Sequence, residues 1–568
     1  RTAHLVLARY WADATEAIFA QVCAGGQFGA VRNRSSHGSR SMPARFMLAV
    51  ALLALYGCAH LAPIQYADRT TSTAIAHPQT TPLGRKSTRL VANQAADQSG
   101  FLLLDRGEEA LVWRGMLADR ATRTIDAQYY IWNQDNVGTV AAERLLRAAE
   151  RGVRVRVIVD ELSIDADPRF LALLNAHPRV EIRVYNPIGS LGLGAAGKVA
   201  RILHTLGDFR RLNRRMHNKA FVVDGSVAIL GGRNVADEYY DLNVRYNFRD
   251  RDVLAMGPIV PHISNAFDEY WNDQWVVPIE AVLDIQVTAE ARDAYYRQLH
   301  GYASNRTNLP PRFAVRLADV ASRFDALDAS AMYWGQARLV YDRPGKNPDL
   351  NRLDAFGESG RQLTELALGA RRELIAETPY LIMLKGTYDL LERLRDRGVR
   401  VALLTNSMAA TDATWVHASY AFQRRRLLGM GIDLYEYRAD AEDRSHLIAR
   451  YELMERKTPL IIHAKTMVID RETVFIGSFN MDPRSTHINT EIGLIIESPA
   501  LAEEVALLIE RDMAPHNSWR LKLTPDGRVE WTTLRNGKPV GYDTEPDVGF
   551  GKAMTFLLLA ILPITPLM

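Results

Sequence analysis

The sequence predicts an α/β protein made of two copies of one lobe, each a mixed β-sheet flanked by helices. Three observations carry this expectation. Apolar, β-rich runs alternate with segments of helix length and spacing. The stretch Met216-His217-Asn218-Lys219, running through Asp224 to Gly231-Gly232-Arg233-Asn234, returns as Ile462-His463-Ala464-Lys465, running through Asp470 to Gly477-Ser478-Phe479-Asn480. The offset is constant, since 463 − 217, 470 − 224 and 480 − 234 all give 246, and Arg151-Gly152-Val153-Arg154-Val155 returns at the same distance as Arg397-Gly398-Val399-Arg400-Val401. A period this long marks a duplicated domain and not a short solenoid repeat.

Both copies read His-x-Lys-x4-Asp-x6-Gly-[Gly/Ser]-x-Asn. β-rich runs on either side of the aspartate make each copy a hairpin. Side chains two apart on a strand share a face, so each hairpin carries its histidine and lysine together. The pair resembles the two HKD motifs of the phospholipase D superfamily. The flanking text Arg211-Leu212-Asn213-Arg214-Arg215-Met216 and Asn480-Met481-Asp482-Pro483-Arg484-Ser485-Thr486 resembles bacterial cardiolipin synthases, most closely their C-type branch. The likeness runs over about residues 100–535.

That resemblance implies a phospholipase D fold whose active site lies at a pseudo-twofold interface between the lobes. It implies a catalytic set of His217, Lys219 and Asp224 with His463, Lys465 and Asp470. One imidazole attacks phosphorus and the other protonates the leaving alcohol, then deprotonates the acceptor. The family pattern gives the nucleophile's role to His217 and the acid/base role to His463. Lys219 and Lys465, with Asn234 and Asn480, are expected to hold the non-bridging phosphate oxygens. Asp252 and Glu491 match the family's acids that orient the histidines. Asp224 and Asp470 are expected to act chiefly as braces for the hairpin turns.

Length alone would suggest about three or four domains; the duplication reduces the main body to two large lobes. With 47% hydrophobic and 24% charged residues, the chain can build an ordinary globular core. A net charge of +3 is too small to indicate a nucleic acid partner. The only cysteines, Cys23 and Cys58, offer the lobes neither a disulfide framework nor a thiolate metal site.

In chain order, residues 1–41 contain no methionine and are expected to precede the true start at Met42. Residues 42–58 read as a lipoprotein-type signal peptide: Arg45, about ten apolar residues, then Gly57-Cys58. Cys58 would then be the lipidated first residue, an uncleaved interfacial anchor being the alternative. Residues 59–98, rich in Thr, Ala, Pro and Gln, read as a flexible tether. Lobe one is expected over 99–285, with strands at 125–132, 153–160 and 180–185 and helices at 140–151 and 170–176. An inter-lobe connection follows over 286–345. Lobe two takes 346–515, with strands at 373–377, 399–406 and 432–437. Residues 516–568 form a C-terminal extension whose apolar tail is either an interfacial anchor or a helix packed on the body.

The Gly-rich run 188–197 and the basic run after it either touch lipid or pack on their own lobe. Gln128, Tyr130 and Tyr380 are read as core residues beside the expected cleft. Two strand-borne histidines could also be zinc ligands, but a lysine on the same face of each would repel a cation, so no metal and no cofactor are expected. The expected partners are phospholipids, namely phosphatidylglycerol and a second lipid such as phosphatidylethanolamine, at a bacterial membrane surface facing the periplasm. Transfer between them would make cardiolipin. Transfer to water would make a phospholipase D. A nuclease of the same superfamily and a silent lipid-binding lipoprotein complete the alternatives.

Overall fold

The computed structural model describes residues 70–161, 164–188, 213–305, 307–308, 313–346, 356–447 and 458–560. The expectations for Cys58, the signal segment, residues 59–69, the run 189–212 and the last eight residues lie outside these ranges.

Lobe one is built on Thr124–Tyr129, Arg154–Asp160 and Val180–Tyr185, three neighbouring parallel strands. The helix that connects the first two, Asn136–Glu150, starts where Asp135 accepts from Gly138 N and gives way to Gly152 at φ 93°. A cap and a left-handed glycine are the ordinary stop signals of such a crossover. On the other side of Thr124–Tyr129 the hairpin Ala220–Val223/Val227–Gly231 pairs antiparallel, followed by Asp252–Met256 and Gln98–Leu104.

Lobe two repeats the order: parallel Glu373–Glu377, Arg400–Asn406 and Asp433–Tyr437, then the hairpin Thr466–Ile469/Thr473–Gly477, then Ile492–Glu497 and Tyr333–Tyr341. Gln98–Leu104 pairs antiparallel with Tyr333–Tyr341, Phe101 opposite Tyr333, and this joint makes one 18-stranded sheet of both lobes. Residues 333–341, expected within the inter-lobe connection, are therefore a central strand.

Three large apolar clusters stand out among the described residues. Two lie under the helices of their own lobes. The third is shared: Val222, Leu230 and Val253 of lobe one meet Ile375, Val468 and Leu494 of lobe two, with Val505 from the helix Pro499–Asp512. Burying an aliphatic side chain contributes roughly 1.5–3 kcal/mol, so this common core fixes how the two hairpins face each other.

The tether expectation fails for residues 70–98. Arg183 Nη2 donates to Thr70 O at 2.7 Å, Arg156 Nη1 to Ser72 O at 2.9 Å and Arg154 Nη2 to Thr73 O at 2.7 Å. Guanidinium forks on the lobe hold an extended chain by its carbonyls, which needs no apolar periodicity in that chain. Pro82–Val91 is then a helix, capped by Thr81 Oγ1 accepting from Gly84 N.

At the other end the helix Phe550–Ala560 packs on Thr414–Ala421, and Lys552 Nζ donates to Ala409 O and Thr411 O at 3.2 and 2.7 Å. Phe550 and Met554 remain exposed on its outer side. Among the described residues no helix is long and apolar enough to cross a membrane.

Candidate active site

Each hairpin turns where two successive residues sit in the left-handed region, Asp224 and Gly225 at φ 50° and 57°, Asp470 and Arg471 at 54° and 55°. Positive φ at both central positions is what a tight hairpin turn of type I′ requires. Asp224 Oδ atoms accept from the backbone N–H of Thr122, Arg123 and Thr124, and Asp470 Oδ atoms from those of Arg371, Arg372 and Glu373. These carboxylates tie the turns to the loops that enter Thr124–Tyr129 and Glu373–Glu377. They touch neither histidine.

The histidines are set by strands that cross between the lobes. His217 N donates to Thr490 O at 2.9 Å and Thr490 N to Arg215 O at 3.0 Å. In the mirrored place Leu460–Ile462 runs parallel to Asn247–Arg249, and His463 N donates to Arg249 O at 2.8 Å. The residue after each cross-lobe acceptor is an acid, and it faces the histidine of the opposite lobe. His217 Nδ1 lies 2.8 Å from Glu491 Oε2, and His463 Nδ1 lies 2.6 Å from Asp250 Oδ2.

This corrects the expectation for Asp252. Asp252 stands opposite Gly231 in the sheet, as Gly493 stands opposite Gly477, so the counterpart of Glu491 is Asp250. The offset has shrunk from 246 to 491 − 250 = 241 because the segment between asparagine and acid is five residues shorter in lobe two. Asp252 instead pairs with Arg114 Nη2 at 2.8 Å and Arg233 Nη1 at 3.4 Å. Asp250 was hidden by an acidic neighbour two residues away that shares its strand parity.

Burial dominates the electrostatics. It pushes the His463 imidazole down to about 4, helped by the Lys465 charge and opposed by Asp250. His217 is driven well below the usual histidine range by burial, then by Lys219 and Lys465. Burial likewise takes Lys465 down to about 8 and Lys219 well below the ordinary lysine range. Asp250, which burial alone would raise, is held below the usual carboxylate range by its hydrogen bond with His463. Burial lifts Glu491 to about 7 against the charges of Lys219 and Lys346.

That the Lys465 charge acts on both His217 and Lys219 brings the two motifs into one electrostatic site. Burial and the lysine charges favour the neutral form of both imidazoles. With Nδ1 committed to an acid, each presents Nε2 for chemistry.

Lys219 Nζ donates to His217 O at 2.5 Å, and Lys465 Nζ lies 3.0 and 3.2 Å from the His463 ring nitrogens. Tyr130, read as core, meets the His217 ring edge-on with centroids 5.1 Å apart; Tyr239 and Phe248 enclose His463 at 5.1 and 4.7 Å. The two asparagines differ. Asn234 is engaged at both ends, accepting from Ile131 N at 3.0 Å and donating to Tyr239 Oη at 2.8 Å. Asn480 Oδ1 is buried without a hydrogen bond among the described residues.

Sequence reasoning also missed Ser478 and Ser485. Their hydroxyls donate to Glu491 Oε2 and Oε1 at 2.5 and 2.6 Å, and Ser478 stood inside the repeated motif as the signal that could have found it. No cluster of three or more His, Cys, Asp or Glu among the described residues is arranged to hold a metal ion.

Two histidine–lysine pairs on duplicated hairpins, each histidine backed by an acid of the other lobe, define a two-motif phospholipase D-type site. Residues 116–271 and 363–513 match the family described as cardiolipin synthase, PLD-like domain, and the chain belongs to that family. It is 34% identical to cardiolipin synthase C of Escherichia coli over 484 residues, which span 84% of this chain and 97% of that protein. It is 24% identical to the major cardiolipin synthase of Bacillus subtilis over 398 residues, 69% of this chain and 64% of that one. Among solved structures, phosphatidylserine synthase of Haemophilus influenzae superposes with a TM-score of 0.50 at 14% identity, covering 77% of this chain and 92% of the other. That likeness concerns the fold.

Proposed function

We propose that this protein is a membrane-associated phosphatidyltransferase that makes cardiolipin from phosphatidylglycerol and a second phospholipid through a phosphatidyl-histidine. The observation that carries the reading is the crossed pairing of His217 with Glu491 and His463 with Asp250, because it commits both motifs to one reaction centre. The near full-length likeness to a cardiolipin synthase supports the choice of substrates.

In the first half-reaction His217 Nε2 forms a bond to phosphorus, the bond to the headgroup oxygen breaks, and His463 Nε2–H protonates that oxygen. In the second, the free hydroxyl of phosphatidylglycerol gives its proton to His463 and bonds to phosphorus as the phosphorus–nitrogen bond breaks. His463 must carry a proton at the start. A bound phosphodiester monoanion favours this, since a negative charge at close range raises an imidazole's basicity in a buried site. Lys219, Lys465 and Asn480 neutralise the charge that builds on the non-bridging oxygens. Glu491 and Asp250 stabilise the imidazolium and fix the tautomer. Lipid anchoring through Cys58, with the body facing the periplasm, belongs to the same reading and is supported by the sequence pattern alone.

Thin-layer chromatography of purified protein with phosphatidylglycerol, with and without phosphatidylethanolamine, tests the proposal. Cardiolipin is expected. Phosphatidic acid as the sole product would make the protein a hydrolase, and turnover of neither lipid would remove the reading.

A further inference from the structure

The strand alternation that puts His463 and Lys465 on one face of the second hairpin carries Met467 onto that face as well. There it helps to line a mostly apolar pocket of about 80 Å³, whose wall reaches from Lys465 to Phe356, 44% exposed at the surface. Leu363 of helix Glu358–Leu368, Leu390 of helix Lys385–Asp396, Met383 just before that second helix and Met481 after strand Thr473–Gly477 supply the other apolar walls. Unbranched thioethers adapt to a guest of variable shape better than rigid aliphatics do.

The duplication gives lobe one a pocket in the matching place, with Phe221 and Val235 where lobe two has Met467 and Met481. The two have diverged. The lobe-one wall contains Arg114, Arg144, Tyr129 and Tyr240, and Lys219 is not part of it. Only the lobe-two pocket, of these two, runs up to a motif lysine.

We propose that the lobe-two pocket holds one acyl chain of the phospholipid whose phosphorus sits between His217 and His463. The proposal rests on the phosphatidyltransferase reading and adds a subsite to it. The pocket's polarity matches an amphiphile: Lys465 at the reaction centre for the phosphate, beside Glu377, which pairs with Arg251, then a passage towards the surface that is apolar but for scattered threonines. Nucleotides and sugar phosphates present no group that would fill it. It also breaks the pseudo-symmetry of the lobes, so that one phosphatidyl group is gripped by its tail while the second lipid exchanges.

Leu363→Trp fills the pocket from the helix side, away from the histidines. kcat/KM is measured for dioleoyl and dihexanoyl phosphatidylglycerol and for the chainless diester bis(p-nitrophenyl) phosphate. Burying one methylene favours binding about fourfold, so the wild type is expected to prefer the long-chain lipid by roughly tenfold or more. Leu363→Trp is expected to lose most of that preference through KM, while turnover of the chainless diester stays within about twofold of the wild type. An active wild type with a chain-length ratio unchanged in Leu363→Trp overturns the pocket alone. A wild type inactive on both lipids overturns the phosphatidyltransferase reading and the pocket's occupant with it.

Because tryptophan at position 363 risks unfolding the helix, a second measurement uses the wild type itself. Phosphatidylglycerol carrying a mid-chain diazirine is photolysed on the protein and the labelled peptides are sequenced. Label within 356–390 or 465–481 is expected, and label confined to other segments overturns the assignment.

Discussion

Replacing Asp250 with asparagine removes a carboxylate that lies 2.6 Å from His463 Nδ1 and is fully buried. The side chain keeps its volume and loses its charge. In the proposed cycle His463 is an imidazolium whenever it is about to protonate the leaving oxygen, with charge centres about 4 Å from the carboxylate. At an effective dielectric of about 20 that pair is worth about 4 kcal/mol. At 1.36 kcal/mol per decade this is about a thousandfold in rate. Asp250→Asn is therefore expected to lower kcat about a thousandfold with KM nearly unchanged.

The adjacent acid provides the control. Asp252 is equally buried but holds Arg114 and Arg233, so Asp252→Asn leaves buried cations short of a partner. That costs about 3–5 kcal/mol of stability and leaves the folded fraction active. Steady-state kinetics on phosphatidylglycerol, alongside urea denaturation of both variants, separates the two effects. A stable Asp252→Asn protein with kcat lowered a thousandfold, beside an Asp250→Asn protein of near-normal kcat, would refute the crossed pairing.

Other consequences are equally specific. A methyl group added at Gly232 would stand 2.1 Å from Asp250 Oδ1, so Gly232→Ala must displace that carboxylate and is expected to lower kcat towards the Asp250→Asn value; unchanged kinetics would contradict the packing. Lys465, lowered to about 8, is charged below that pH and neutral above it, so kcat/KM should fall as pH rises through about 8. Lys465→Arg, which stays cationic, should shift that limb upward while reducing kcat, and a limb that stays put would assign it to another group. Asp224→Ala strands the amides of Thr122, Arg123 and Thr124 and should cost about 3 kcal/mol in urea denaturation while the folded fraction keeps its kcat. Loss of kcat without loss of stability would make Asp224 part of the chemistry.

Much of the fold was legible because duplication let each lobe act as a check on the other. His217, Lys219, His463 and Lys465 stood out since strand parity and a constant offset agreed on them. Legibility ended where the copies drifted. The five-residue shortening before Glu491 broke the constant offset there, and the family match fell on Asp252, two positions from Asp250. The chain at 70–73 gave no signal because it is held by arginines 81 to 113 residues away, a contact that no local pattern encodes. Tyr130 looked like core because an aromatic that packs on a buried imidazole has the same sequence signature as one that packs on leucine. The pocket beside Lys465 depends on which apolar residues fail to touch, and periodicity does not record that.

The most direct test is to quench the enzyme in mid-turnover with phosphatidylglycerol and find the covalent adduct by mass spectrometry. A phosphatidyl group on the peptide that contains His217, present in the wild type, absent in His217→Ala and strongly reduced in His463→Ala, whose first step lacks its acid, is the expected result. Cardiolipin still formed by His217→Ala, or by an enzyme that never carries the adduct, would contradict two lobes acting on one phosphorus through a histidine nucleophile.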